Sequence, residues 1–342
     1  MTPTFALPPD AEATAPPEWQ GLARDEVRLL AAGPEGITHG RARDLPDLLA
    51  PGDLLVVNTS ATLPARVAAR RADGVAVPLH VSASLDDGSW VVEVRRPAND
   101  GPDLGAEPGT VLALPGGVRL TLLAGFPDPS RASRLWRAAP DPAVPTTAYL
   151  PAHGRPIRYG YLHGSFPLSA YQNVYATEPG SAEMASAGRP LTEALLVRLM
   201  ARGVPVVPVV LHTGVSSPEL HEQPYPERFA VPEVTARLVT STRRAGGRVV
   251  AVGTTVTRAL ETVTDDDGTV GPGSGWTDLV LGPDRPARAV TGLLTGLHAP
   301  EASHLQLLEA VAGPALVATA YREAVAEHYL WHEFGDAMLF LP

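Results

Sequence analysis

The chain has 342 residues, of which 44% are hydrophobic and 19% are charged, and its formal net charge is −10 at pH 7. This composition predicts a sizeable buried core and excludes collagen, coiled coils and full-length disorder. The sequence has no cysteine, which excludes disulfides, thiolate nucleophiles and cysteine-ligated zinc. All 27 basic residues are arginine, which excludes Schiff-base lysines and a lysine-bearing phosphate loop.

The net charge and the length of the apolar runs also indicate whether the protein binds nucleic acid and whether it enters a membrane. A general nucleic-acid binder would be basic, so any contact with RNA requires a local arginine patch. No apolar run reaches the roughly 18–20 residues that cross a bilayer, and residues 1–20 are acidic and proline-rich, unlike a signal peptide. We therefore expect a cytoplasmic protein that does not enter a membrane and acts as a monomer or a weak dimer.

The first predicted elements follow a loose N-terminal tail. Residues 24–33 are strand-like, residues 45–49 predict a short helix, and residues 54–57 form an apolar run that is typical of a buried strand. Asn58 ends that strand and opens the polar sequence NTSATLPAR. Because α/β folds place ligands at strand ends, Asn58 is a candidate binding residue.

Residues 67–149 have a different pattern. The short alternating runs VPLHVSA, WVVEVRR, TVLALPG and VRLTLLA are separated by turn residues at intervals of roughly 8–12 residues, which predicts a small all-β unit. The α/β pattern then resumes with helices at 191–202, 232–245, 255–263, 303–312 and 317–329, strands at 204–211, 248–252 and 338–341, and a loop at 265–275. We predict a discontinuous α/β domain, residues 1–66 and 150–342, interrupted by a β domain, residues 67–149.

The strongest local feature is a strand that runs through Gly253, Thr254 and Thr255 into a helix. A helix N-terminus offers free N–H groups and a positive dipole end, which suit a carboxylate or a phosphate. Arg258 and Glu261 are three residues apart and share one side of that helix. An ordinary strand–turn–helix with a threonine cap is the alternative interpretation.

Other candidate residues lie at turns and strand ends. Asp336 precedes the last strand and could cap a turn or bind hydroxyl groups, while His212 and His298 could act as acid or base. His328 and His332 are four apart on the predicted helix, a zinc-like spacing, but HExxH and a third ligand are missing, so no metal is predicted. GxSxG, GxGxxG and Walker motifs are also missing, which disfavours serine hydrolases, Rossmann enzymes and P-loop ATPases.

Six sequence blocks follow one another along most of the chain. They are RDEVRLL, PGDLLVVNTSATLPAR, YQNVYA, AVGTTVTRALE, LTGLHAPEAS and FGDAMLF. In this order they resemble the S-adenosylmethionine:tRNA ribosyltransferase-isomerase family of queuosine biosynthesis. The resemblance implies a barrel-like α/β domain with an inserted six-stranded β-barrel, and Tyr171 of YQNVYA as a binding residue.

The family resemblance also implies a reaction. The ribosyl part of S-adenosylmethionine is transferred to 7-aminomethyl-7-deazaguanine in tRNA and isomerised, while adenine and methionine leave. S-adenosylmethionine is thus a substrate, and no metal is expected. The turn of Gly253, Thr254 and Thr255 would bind the methionine carboxylate. The candidate catalytic residues are Arg258, Glu261, Asp336 and His298. Asp336 or Glu261 would accept hydrogen bonds from the ribose hydroxyls.

The chain departs from the family pattern at several of these blocks. Pro190 stands where the family has a histidine, Gly296 where it has an asparagine, and residues 58–61 replace an N-D-T-R sequence. An MH-x-E segment survives only as Glu227. Two alternatives therefore stay open: a relative that uses S-adenosylmethionine or a related nucleoside with a small-molecule acceptor, and a non-catalytic nucleoside- or RNA-binding scaffold.

Overall fold

The computed structural model describes residues 5–130, 133–215, 224–300 and 302–342. The strands are β1 (Arg28–Gly33), β2 (Gly36–Arg41), β3 (Leu54–Asn58), β4 (Ser60–Thr62), β5 (Arg66–Arg70), β6 (Ala76–Ser84), β7 (Trp90–Val94), β8 (Val111–Ala113), β9 (Arg119–Gly125), β10 (Leu135–Asp141), β11 (Glu178–Ser181), β12 (Val206–Leu211), β13 (Glu227–Val231), β14 (Val249–Val252), β15 (Gly273–Thr277), β16 (Gly292–Gly296) and β17 (Ala337–Phe340). The helices are α1 (Leu45–Leu48), α2 (Thr146–His153), α3 (Glu193–Ala201), α4 (Glu233–Arg244), α5 (Thr254–Thr262), α6 (His304–Ala312) and α7 (Pro314–Ala326).

The α/β part is built on one mixed sheet of nine strands in the order β15-β13-β12-β3-β14-β16-β17-β1-β2. At its centre β3 is parallel to both β12 and β14, and every residue of β3 and β14 is buried. Continuous apolar, β-branched runs are typical of such central parallel strands. The sheet ends in β15 and β2, and in the described residues closure into a barrel is confined to the inserted part.

Both faces of the large sheet are covered by helices, because alternate side chains of each strand point to opposite faces. Leu54 and Val56 of β3 belong to a core that includes side chains of α4, α5, α6 and α7. Leu55 and Val57 belong to a separate core with side chains of α1 and α3. The α/β class predicted from the sequence is confirmed.

The inserted part is a closed antiparallel barrel of six strands in the order β10-β7-β6-β5-β8-β9, as the resemblance implied. Its interior holds Trp90 and Leu79, and Tyr149 and Leu150 of α2 add to the same core. The strands of the barrel run from Arg66 to Asp141.

Two predicted elements differ from the structure. Residues 328 and 332 lie beyond the end of α7 with positive φ angles of 53° and 72°, so the two histidines do not share a helix. The helix ends because the chain turns to bury Tyr329 and Trp331, both fully inaccessible to solvent. The predicted loop at 265–275 contributes its last residues to β15, which pairs with β13 along the sheet edge.

No helix in the described ranges is long and apolar enough to cross a membrane, since even α7 has only 13 residues.

Candidate active site

A cavity of about 320 Å³ lies between the α/β part and the barrel. The barrel side contributes residues of β6, the start of α2 and Phe126, whereas the α/β side contributes the start of α5, the start of β13 and the start of α6. The polar and aromatic side chains that matter below are Ser82, Phe126, His212, Tyr225, Glu227, Thr254, Thr255, Arg258, Trp276 and His304. Both structural parts therefore form the walls of this cavity.

The start of α5 forms one wall of the cavity. Gly253 has a φ of 95°, a backbone conformation that favours glycine, and a Cβ on it would lie 3.3 Å from the Cβ of Ala187. This turn places Thr254 and Thr255 at the cavity surface. Because the first N–H groups of a helix have no partner within it, this wall suits an anionic group.

Asn58 does not line the cavity, but it forms a hydrogen bond to Thr255 of this wall. Its amide nitrogen donates to the carbonyl of Leu211 at 2.8 Å and to the hydroxyl of Thr255 at 3.2 Å. Its amide oxygen accepts from the N–H groups of Ser60 and Leu211. The buried amide thereby links the ends of β3 and β12 to the start of α5.

Arg258 and Glu227 form a buried ion pair at the cavity wall. The Arg258 guanidinium also donates to the carbonyls of Leu279 at 3.1 Å, and of Tyr225 and Thr277 at 3.2 Å each. Burial raises the pKa of the Glu227 carboxyl, although the Arg258 charge and the N–H of Gly214 oppose that change. Glu227 is therefore a stronger base than an ordinary carboxylate.

His212 enters the cavity from the end of β12 and is oriented by two serines. Its Nδ1 is 2.7 Å from the Ser60 hydroxyl, which is 2.6 Å from the Ser181 hydroxyl, and Ser181 accepts from the N–H of Thr213. Each hydroxyl proton finds an acceptor when Ser181 donates to Ser60 and Ser60 donates to Nδ1. That arrangement leaves the ring proton on Nε2, so His212 is a hydrogen-bond donor. Burial lowers its pKa, which keeps the ring neutral.

His304 lines the cavity at the start of α6, and His298 lies behind it. The two rings stack with centroids 4.6 Å apart and planes inclined by 3°. His298 Nε2 is 3.0 Å from the hydroxyl of Thr295, and the ring is not part of the cavity wall. Burial lowers the pKa of His304 to about 4 and that of His298 well below its usual range, so both rings are neutral near pH 7.

Aromatic side chains form the part of the cavity nearest the barrel. The rings of Phe126 and Tyr225 have centroids 6.4 Å apart. Trp276 of β15 also lines the cavity, and its Nε1 donates to Asp86 at 3.0 Å. Flat apolar rings beside a carboxylate suit a planar base and a nearby positive charge.

Glu261 faces away from the cavity. Its carboxylate accepts the N–H groups of Arg288, Ala289 and Val290 at 2.9, 2.8 and 3.0 Å, and the residue is 1% exposed. The side chain therefore fixes the loop that leads into β16.

We expect Glu261→Gln to lower the free energy of unfolding by about 2–4 kcal/mol, because an amide offers one acceptor oxygen where the carboxylate offers two charged ones. Urea denaturation measures this loss, with the exposed Glu35→Gln as the matched control. A change within ~0.5 kcal/mol of the control would contradict the structural role of Glu261.

Asp336 and Tyr171 also lie away from the cavity. The Asp336 carboxylate accepts the N–H groups of Arg28 at 2.7 Å and of Leu330 at 2.8 Å, and it borders a separate void of about 10 Å³. Pro190 and Gly296 border the same void. The Tyr171 ring packs on Phe334 with centroids 5.2 Å apart.

Of the candidate residues from the sequence, the structure brings Thr254, Thr255, Arg258 and His212 to the cavity. Sequence reasoning did not assign Glu227, His304 or Trp276 to a site. Glu227 carried one usable signal, since it stands where the family has its MH-x-E segment. Among the described residues no group of three or more His, Asp or Glu side chains is placed to hold a metal ion.

The chain matches the family model described as queuosine biosynthesis protein over residues 2–340. It is 36% identical to the S-adenosylmethionine:tRNA ribosyltransferase-isomerases of Symbiobacterium thermophilum and Thermus thermophilus, and each alignment covers 98% of both chains. A crystal structure of S-adenosylmethionine tRNA ribosyltransferase from Thermotoga maritima matches all of both chains with 30% identity and a TM-score of 0.55. The chain belongs to the queuosine biosynthesis protein family.

Proposed function

We propose that this protein is an S-adenosylmethionine:tRNA ribosyltransferase-isomerase and that the cavity between its two parts is the active site. The unit of residues 67–149 and the unit of residues 1–66 with 150–342 would then both contact substrate. One observation carries the proposal: a single cavity combines a free helix start, a buried carboxylate of raised pKa, neutral imidazoles and aromatic rings. The names of full-length relatives give the same activity.

The start of α5 would bind the methionine carboxylate of S-adenosylmethionine. The amides of Thr254 and Thr255 and their hydroxyls supply donors, and the helix dipole favours a negative charge there. Gly253 is required because the turn has a positive φ and passes close to Ala187. Asn58 holds the Thr255 hydroxyl in place.

The aromatic wall would receive the adenine ring and the sulfonium. Trp276, Tyr225 and Phe126 offer flat faces for a planar base, and ring faces attract a positive charge within ~6 Å of their centroid. This arrangement would place the positive sulfonium between the rings and the carboxylate of Glu227.

Glu227 would act as the base of the reaction. The sulfonium makes the hydrogen on the 5′ carbon acidic, and a carboxylate with a raised pKa accepts that proton more readily than an ordinary one. Removal of that proton leaves a carbanion at the 5′ carbon that the neighbouring sulfonium stabilises. Over the whole transfer a C–N bond forms between the amine of the modified guanine and the ribosyl carbons with loss of an amine proton, the bonds from these carbons to adenine and to the methionine sulfur break, and adenine leaves with a proton. His212, which is neutral and donates through Nε2, would hydrogen-bond a nitrogen of the departing adenine.

A second candidate function has a specific observation behind it. Pro190 and Gly296, which replace a histidine and an asparagine of the family, border one small void beside Asp336. The void is separate from the cavity, but replacement of two polar family residues is what a relative with another acceptor, such as a small amine, would show. We further propose that the reaction takes place in the cytoplasm, needs no metal and is carried out by a monomer or a weak dimer.

The test is to incubate the protein with S-adenosylmethionine and tRNA that contains 7-aminomethyl-7-deazaguanine, and to follow free adenine by chromatography. We expect adenine release that depends on that tRNA. Release with a small amine alone would favour the second candidate. Binding of S-adenosylmethionine without release under any condition would favour the non-catalytic scaffold and contradict the proposal.

A further inference from the structure

Three arginines lie together where the chain crosses between the α/β part and the barrel. Arg66 begins β5, and Arg155 and Arg158 follow α2. The N–H of Arg66 donates to the carbonyl of Arg155 at 2.8 Å, and the N–H of Arg155 donates back at 2.9 Å. Directly paired residues of antiparallel strands place their side chains on the same face, so these two guanidinium groups are neighbours.

The three guanidinium groups have no ion-pair partner among the described residues. The side chains of Arg66 and Arg155 donate to no described protein group, and Arg158 donates only to the carbonyl of Leu162, at 2.8 Å. By contrast, two arginines of the barrel, Arg95 and Arg134, both bind the buried carboxylate of Glu93.

The positive charges of the three arginines lie close enough to act on one another. Burial, together with the positive charges of Arg158 and Arg155, lowers the pKa of Arg66. Arg66 and Arg158 are half-buried and Arg155 is exposed. Neighbouring cations without a carboxylate repel one another, most strongly where they are partly buried, and a bound anion removes that repulsion. A negatively charged group that binds at these three arginines would therefore be stabilised there.

Tyr171 adds a donor to the three arginines. Burial and the charge of Glu333 raise the pKa of Tyr171, while Arg158 and Arg66 are near enough for their charges to act in the opposite direction. That hydroxyl has no hydrogen-bond partner among the described residues. The carboxylate of Glu333, the acidic group on the other side, accepts the hydroxyl of Tyr161.

We propose that Arg66, Arg155 and Arg158 bind the phosphate backbone of the RNA substrate, with the Tyr171 hydroxyl as an additional donor. This inference rests on the proposed function, because it takes tRNA as the acceptor. An acidic chain has no general attraction for RNA and needs such a local patch.

The position relative to the cavity favours RNA over a free anion. Helix α2 begins with Thr146 and Thr147, which line the cavity, and Arg155 follows shortly after its other end. Eight residues of helix span about 12 Å, which corresponds to roughly three to four nucleotides of a stacked strand. A nucleotide in the cavity therefore has backbone phosphates within reach of the arginines.

The test measures binding of a fluorescent tRNA transcript as a function of salt. For Arg155→Ala/Arg158→Ala we expect about ten- to fiftyfold weaker binding at 0.1 M salt, and a salt slope that is smaller by about 1.4–1.8. Arg155→Lys/Arg158→Lys keeps the charges and should keep the slope. Arg237→Ala, at an exposed arginine of α4, is the matched control and should change neither quantity.

A double alanine variant with the same salt slope as the wild type would overturn the inference. So would a variant whose binding to inorganic tripolyphosphate or to anionic vesicles weakens as much as its binding to tRNA. Adenine release separates this result from the proposed function. Normal tRNA-dependent release by the wild type with an unchanged slope in the variant would refute the arginine site alone. A reduced slope in a protein that releases no adenine would refute the enzymatic proposal alone.

Discussion

Replacement of Glu227 by glutamine is expected to slow adenine release by about 10²–10⁴-fold, because the amide cannot accept the proton of the 5′ carbon. The affinity for S-adenosylmethionine should fall by less than the rate, because the sulfonium loses the Glu227 charge while the start of α5 and the aromatic wall remain. Wild-type activity should fall as the pH is lowered through the raised pKa of Glu227, because the base must be deprotonated. Single-turnover assays over a range of pH measure both effects.

Glu178→Gln is the matched control for this prediction. Glu178 is exposed and immediately precedes Pro179, which lines the cavity, so the variant makes the same change of charge at the cavity rim. It should keep the wild-type rate. A Glu227→Gln variant that releases adenine within threefold of the wild type would remove Glu227 from the chemistry.

Replacement of Arg258 by methionine is expected to lower the free energy of unfolding by about 3–5 kcal/mol, because the carboxylate of Glu227 stays buried without its partner. The carbonyls of Leu279, Tyr225 and Thr277 also lose a donor. Urea denaturation measures the loss, and calorimetry with S-adenosylmethionine at low temperature measures binding. Unchanged binding in a folded variant would remove Arg258 from the site.

A double-mutant cycle separates the ion pair from simple loss of packing. Arg258→Met/Glu227→Gln should lose less stability than the sum of the two single variants, because no unpaired charge remains in the double variant. Arg237→Met, at an exposed arginine, should leave stability within ~0.5 kcal/mol of the wild type. Strict additivity of the two single changes would contradict a coupled buried pair.

The sequence was informative where local pattern decides structure. The apolar runs that became β3 and β14 are continuous and β-branched, which is enough to predict buried strands. The helix after Gly253 was visible because a strand, a turn and an amphipathic segment follow one another without a gap. The inserted barrel was visible because its runs are short, alternating and regularly spaced.

The cavity depended on contacts that local pattern does not encode. Ser82, Glu227 and His304 come from three distant segments, and only the folded sheet and barrel bring them to one space. Arg258 and Glu261 are three apart, but three residues advance a helix by about 300°, so the two side chains diverge by about 60°. Arg258 therefore reaches the cavity while Glu261 binds the loop before β16.

The histidines illustrate the same limit. The spacing of His328 and His332 predicted one helix face, but the burial of Tyr329 and Trp331 stabilises a different backbone path. His304 directly follows the block LTGLHAPEAS, but nothing in that block singles it out, and it reaches the cavity because α6 packs beside α5.

A crystal structure of the protein with S-adenosylmethionine would test the central claim most directly. We predict that the methionine carboxylate lies within hydrogen-bond distance of the amides of Thr254 and Thr255, with the adenine against Trp276 or Tyr225. A sulfonium nucleoside bound elsewhere, with this cavity left to solvent, would contradict the account.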